Sequence, residues 1–259
     1  MGDGNKGERK MKKIVAILLV MLMVVAAVAC QAKDEPKAEN EPAAEAPQEA
    51  AEQPTLGGNV AGGWTPAADF SLTEERQAIF DKGMAALLGV DYEALAYLGS
   101  QVVAGTNHVF LVKGTAVTPS QPVSYALAYL YEDLQGGVRI LTVADLPIVP
   151  QEDGTLGLVE TGLMGGWKYA ESPAMTEEAE AAFRKALEGM VGAGYVDVAY
   201  LGEQVVSGLN RCILCQVTPV VPDAQPHYAL AYVYTDLQGV SSLTQVIDLD
   251  IGALCEYGE

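Results

Sequence analysis

Cys212 and Cys215 stand in a CxxC spacing within the stretch CILC, the spacing of a redox dithiol or of half a metal site. Their surroundings argue against both. A redox CxxC opens a helix, whose N-terminal end favours the thiolate, whereas these cysteines lie inside a strand-like apolar run. In the internal repeat described below they replace Val109 and Val112, so core packing is the expected role. The alternative, if the chain is exported, is a disulfide from one of them to Cys255. His108 and His227 are the only histidines, and across the repeat they align with Arg211 and Ser124, so neither belongs to a shared site. The sequence contains no metal-ligand cluster and no phosphate-cradling glycine motif. The expectation is a protein that is not an enzyme: no catalytic residue, no metal and no cofactor.

Cys30, the remaining cysteine, has a different setting. Lys12 and Lys13 precede an apolar run from Ile14 to Val28, and Ala27, Val28, Ala29 and Cys30 form a small-residue cleavage site that ends in cysteine. The run is short for a membrane span and gives way to a Pro- and Glu-rich tract. This arrangement resembles a bacterial lipoprotein signal over residues 11–29, with Met11 as its start. The resemblance implies cleavage before Cys30, lipidation of Cys30, and a protein anchored by lipid to the cell membrane on its extracytoplasmic side. Ala27 departs from the usual leucine.

Residues 30–58 carry Ala, Glu, Pro, Gln and Lys with almost no large apolar side chain, a composition that cannot offset the entropy of ordering and reads as a disordered tether. Over the whole chain of 259 residues the net charge is −19, which repels phosphate backbones and argues against a nucleic-acid partner.

The rest of the chain is a duplication. A shift of 103 positions, without a gap, superimposes GGW at Gly62 on Gly165, TEE at Thr73 on Thr176, YLG at Tyr97 on Tyr200, YALAY at Tyr125 on Tyr228, and DLQG at Asp133 on Asp236. Each copy is far longer than a solenoid repeat and reads as a complete domain, the first over 59–149 and the second over 162–259, with a linker at 150–161.

Within each copy Thr73 or Thr176, followed by two glutamates, marks a helix start. Phe80, Met84, Leu87 and Leu88 then fall on one helical face, as do Phe183, Leu187, Met190 and Val191, and Gly89 and Gly192 close the run. Four strand-like runs follow, at 92–103, 107–115, 124–131 and 138–146 in the first copy, and the tryptophan-bearing stretch offers a short strand before the helix. In YALAYLY, Ala126, Ala128 and Leu130 face one way and Tyr125, Leu127, Tyr129 and Tyr131 the other. The small face suits a closely packed helix. The tyrosine face, repeated at Tyr228, Tyr232 and Tyr234, is expected to pack, with a binding surface as its rival role. An α+β fold follows, with one long helix packed across an antiparallel β-sheet in each domain.

The strongest motif joins two of these strands. Gln101, Val102, Val103, Ala104 and Gly105 recur as Gln204, Val205, Val206, Ser207 and Gly208, with Asn107 and Asn210 following. Glycine supplies the positive φ of a tight reversal, but an apolar tip gains nothing from solvent and points to a partner. QVVAG and QVVSG resemble the QxVxG hairpin of the cystatin superfamily, in its stefin-like form. Two further elements match. An apolar trunk precedes Gly62 and Gly63 as Val60 and Ala61, and precedes Gly165 and Gly166 as Leu163 and Met164. A second hairpin carries Leu134 and Gln135, or Leu237 and Gln238, in place of the Pro-Trp of secreted cystatins. The resemblance implies two tandem cystatin-like domains that inhibit papain-like cysteine peptidases by occluding the active-site cleft with the trunk and both hairpins. The alternative is a non-inhibitory, cystatin-fold adhesion or ligand-binding surface lipoprotein.

Overall fold

The computed structural model of the chain describes residues 62–160 and 162–255. The signal segment, Cys30, the tether and the trunk residues Val60 and Ala61 lie outside them. Chain order is β1 (Trp64–Pro66), α1 (Glu74–Met84), β2 (Val90–Val103), β3 (Gly105–Ala116), β4 (Val123–Glu132), β5 (Val138–Asp145), β6 (Val149–Pro150), β7 (Leu156–Gly157), β8 (Lys168–Tyr169), α2 (Glu177–Ala186), β9 (Ala193–Val206), β10 (Gly208–Pro219), β11 (His227–Thr235) and β12 (Ser241–Leu249). Two five-stranded sheets result, β1-β2-β3-β4-β5 and β8-β9-β10-β11-β12, with β6 and β7 forming a small hairpin between them in sequence. All pairings are antiparallel.

The expectation of two domains, each built on one long helix across a sheet, is overturned. Strand outweighs helix, 48% against 11%, so the molecule is a mainly β structure. α1 has 11 residues and α2 has 10. Thr73 and Thr176 do cap them, accepting from the backbone N–H of Arg76 and Ala179 at 3.3 and 3.1 Å. The helices stop early. Phe80, Met84 and Phe183 are buried, but Leu87, Leu88, Met190 and Val191 fall beyond the last helical turn and are exposed. An 11-residue helix is about 16 Å long, which matches the apolar stretch Ala126–Leu130 that α1 covers, and a further turn finds no apolar surface to bury. The fit is close: a Cβ at Gly83 would lie 2.7 Å from the Leu130 side chain.

Most of each tyrosine face is buried, with Tyr131 and Tyr234 at its end half-buried. Tyr125, Tyr129, Tyr228 and Tyr232 are among the most enclosed residues of the chain, and they lie in one apolar cluster that draws on both repeats. The two sheets are therefore stacked through these faces. Polar atoms are satisfied reciprocally across the seam. Tyr125 donates to the carbonyl oxygen of Ala170 at 2.9 Å, and its repeat equivalent Tyr228 reaches the carbonyl oxygen of Ala67 at 3.4 Å. Within each repeat the same ring packing recurs, Trp64 meeting Tyr129 edge-on with centroids 5.5 Å apart and Trp167 meeting Tyr232 at 5.6 Å. Gly99 and Gly202 face Ile251 and Ile148, where a Cβ would come within 2.9 and 2.6 Å of the isoleucine Cδ1. Two repeats that exchange contacts in this mutual way are related by an internal two-fold axis.

Burying these four tyrosine rings gains on the order of 2–3 kcal/mol per side chain, roughly 10 kcal/mol in all. That is comparable with the whole net stability of a small domain, so the two repeats depend on each other.

Candidate binding edges

β2 and β3 meet at the first QVVAG tip, where Val103 pairs with Gly105 around Ala104. Gly105 has φ +129°, and a Cβ there would sit 2.4 Å from the carbonyl oxygen of Glu132 and 2.8 Å from the Tyr131 ring. Only glycine meets both demands. The reason is Tyr131, which crosses the turn to donate from its hydroxyl to the Ala104 carbonyl oxygen and is itself covered by the Arg139 guanidinium. The second copy repeats the arrangement: Gly208 at φ +130°, the same 2.4 Å approach to the Thr235 carbonyl oxygen, and Tyr234 donating to Ser207.

Gln101 has an internal role that its sequence position alone does not disclose. Its Nε2 donates to the carbonyl oxygen of Gly62 at 2.6 Å, and its Oε1 accepts from Asn107 Nδ2 at 2.7 Å. Gln204 does the same with Gly165 and Asn210, both at 2.9 Å. The glutamine therefore latches the trunk glycine to the hairpin, while β1 pairs Trp64 with Gln101 to hold the trunk alongside. The recurrence of Asn107 and Asn210 with the glutamine was the available signal for this pairing.

The second hairpin follows at the same end of each sheet, because β4 runs back towards the tip that β2 and β3 define. Asp133 Oδ1 accepts from the backbone N–H groups of Gln135 and Gly137, and Asp236 Oδ1 from those of Gln238 and Val240, so each aspartate fixes its own turn. Gly136 and Gly239 adopt φ near +80°. This geometry pushes Leu134 and Leu237 outward, 79% and 77% exposed.

The predicted residues thus come together as two edges. Gly62, Gly63, Gln101, Val102, Val103, Ala104, Gly105, Leu134 and Gln135 form one edge, and their counterparts from Leu163 to Gly166, Gln204 to Gly208, and Leu237 and Gln238 form the other. Within each the roles divide. Gln101, Gly105, Gln204 and Gly208 are occupied inside the fold. Val102 and Val205 are the outward valines, 73% and 65% exposed against 42% and 45% for Val103 and Val206. Leu163 is exposed and Met164 fully so.

Beneath the first tip lies a polar cluster with no equivalent in the second. His108 on β3 places Nδ1 3.0 Å from the Tyr97 hydroxyl and Nε2 3.3 Å from Glu132. Burial pushes the imidazole below its ordinary value, outweighing the opposite pull of Glu132. In the second copy Arg211 donates to Thr235 at 2.7 Å instead. Cys212 and Cys215 are buried thiols, and burial lifts Cys212 to about 12. Such thiols are packing groups rather than nucleophiles. Of the tyrosine faces, Tyr125, Tyr129, Tyr228 and Tyr232 are enclosed in the seam between sheets and are not available to a ligand, while Tyr131 and Tyr234 stand half-buried behind the hairpin tips.

A cleft of about 970 Å³ runs between the repeats, lined by the β3–β4 turn at Ser120, Gln121 and Pro122 and by Leu163, Met164 and Lys168. Compared with protein-family models and with curated proteins, the chain matches none.

Proposed function

We propose that the chain inhibits papain-like cysteine peptidases by filling the active-site cleft, and that it does so outside the cell, held to the membrane by lipid at Cys30. One observation supports this above the others. On each edge a trunk glycine, a valine-tipped hairpin and a leucine-tipped hairpin stand side by side, with exposed apolar side chains on a backbone that is fixed by the glutamine latch and the aspartate turns. A soluble surface gains nothing from apolar tips so arranged, whereas a cleft that desolvates them does. Rigid tips also lower the entropy cost of docking. The likeness to cystatins enters as a likeness of this edge and its motif.

Papain titrated with the full-length chain tests the reading. Substituting Val102→Asp together with Val205→Asp puts a charge where the cleft must desolvate it, and inhibition should weaken by at least about 2 kcal/mol, roughly 30-fold. Because both valines are exposed, the thermal midpoint should move little. Undiminished inhibition by this variant, or none by the unsubstituted chain, overturns the proposal.

A further inference from the structure

The internal two-fold has a consequence for how many partners the molecule holds. In each repeat the binding edge lies at one end of the sheet, and the β3–β4 or β10–β11 turn lies at the other. Contacts across the seam pair unlike ends. Tyr125 and Leu146, at the turn end of the first sheet, meet Ala170 and Tyr169, which lie beside β9 close to the second edge. Lys113, also near the turn end, donates to the carbonyl oxygen of Glu171 at 2.6 Å. The β3–β4 turn and the trunk of the second repeat line the same cleft. The mirror contact, Tyr129 near the first edge with Ile251 beyond the end of β12, completes the pattern.

We propose that the chain is two-headed: its two edges point away from each other and seat two peptidase molecules at once. This rests on the inhibitor reading above. Separation decides the matter. With each edge beside the other repeat's turn end, the edges are about one strand apart. β2 and β9 each have 14 residues, and at roughly 3.3 Å per residue that is on the order of 40 Å. A globular partner of about 200 residues has a radius of gyration near 16 Å, so two such molecules at opposite ends do not collide. The shared core holds the heads in this opposition, because a hinge between repeats would have to expose Tyr125, Tyr129, Tyr228 and Tyr232. The heads are not identical. An occupant of the second edge lies against the cleft rim at Gln121 and Pro122, which Leu163 and Met164 border.

The test is native mass spectrometry of the full-length chain with papain whose thiol carries a small methylthio cap. Saturation at two papain molecules per chain is expected. Val102→Asp with Leu134→Asp should leave one bound, Val205→Asp with Leu237→Asp should leave one, and all four substitutions should leave none. Saturation at a single papain, or loss of both molecules when one edge is altered, overturns the two-headed arrangement while sparing the inhibitor reading. Absence of any complex with the unsubstituted chain removes both.

Discussion

The hydroxyl of Tyr129 donates to the carbonyl oxygen of Ile251 at 2.7 Å, and Tyr232 returns the contact to Ile148 at 3.0 Å. Each bond ties a central strand of one repeat to the segment that leaves the sheet of the other. Tyr129→Phe and Tyr232→Phe keep the ring but leave a carbonyl unpaired in the seam, so each should cost about 1–2 kcal/mol. Urea unfolding followed by tryptophan fluorescence, with Trp64 and Trp167 reporting on separate repeats, should show one coincident transition that both variants shift. Two separate transitions would mean that the repeats unfold independently.

Gln101→Ala should loosen the trunk and spare the fold. Amide exchange at Gly63 and Trp64 should quicken, while global stability falls by no more than about 1 kcal/mol, since the latch is near the surface. Papain affinity at that edge should drop roughly tenfold, because the trunk must then be ordered on binding. Unaltered exchange would show that β1 pairing alone holds the trunk.

Gly105→Ala and Gly136→Ala separate two kinds of glycine. Both positions have positive φ, but an added Cβ at Gly105 runs into the Glu132 carbonyl, whereas at Gly136 nothing lies within 4 Å. The first should destabilise by at least about 2 kcal/mol and the second by about 1. Equal losses measured by thermal unfolding would remove the steric argument for Gly105.

Acid should weaken the fold through His108. The imidazole is enclosed by Tyr97 and Glu132, with Arg76 and Glu75 of α1 near by, and the folded state holds it below its ordinary value. As pH falls through the ordinary imidazole range, roughly 6.5, the unfolded chain takes up a proton that the native state refuses, so the unfolded state binds more protons and stability declines. The decline from one such group is at most about 1.4 kcal/mol per pH unit and ends once pH is beneath the folded value. His108→Gln should flatten the stability curve between pH 7 and 5, apart from the carboxylates common to both. A slope identical to that of the unsubstituted chain would show that the fold does not hold His108 below its ordinary value.

Local features were legible and partnerships were not. The gapless repeat exposed the strand-like runs and both hairpins, since glycine, aspartate and alternating valines mark reversals by their own geometry. Parity in YALAYLY told which face is small and which is aromatic, and Ala126, Ala128 and Leu130 do receive a helix. What covers the tyrosines was not written in any window, because an apolar face looks the same whether its cover is a helix, a ligand or a second sheet. The same blindness lengthened the helices: Leu88 and Val191 continue the apolar period, yet nothing lies opposite to bury them. At the edge, Val102 and Gly105 were readable from type, whereas the inward duty of Gln101 needed Gly62 brought beside it from 39 positions away.

The seam between repeats has the form of a symmetric homodimer joined into one chain, with the β6–β7 hairpin inside the join. Joining replaces a concentration-dependent association with an intramolecular one, whose effective concentration reaches the millimolar range for short connections, so dilution does not part the halves. It also frees them to differ. In a homodimer every substitution is made twice, once on each side of the axis. Here His108 in one half corresponds to Arg211 in the other, and Val109 and Val112 answer to Cys212 and Cys215. One half can therefore change its buried polar groups, as His108 does against Arg211, without the same change being imposed on the other.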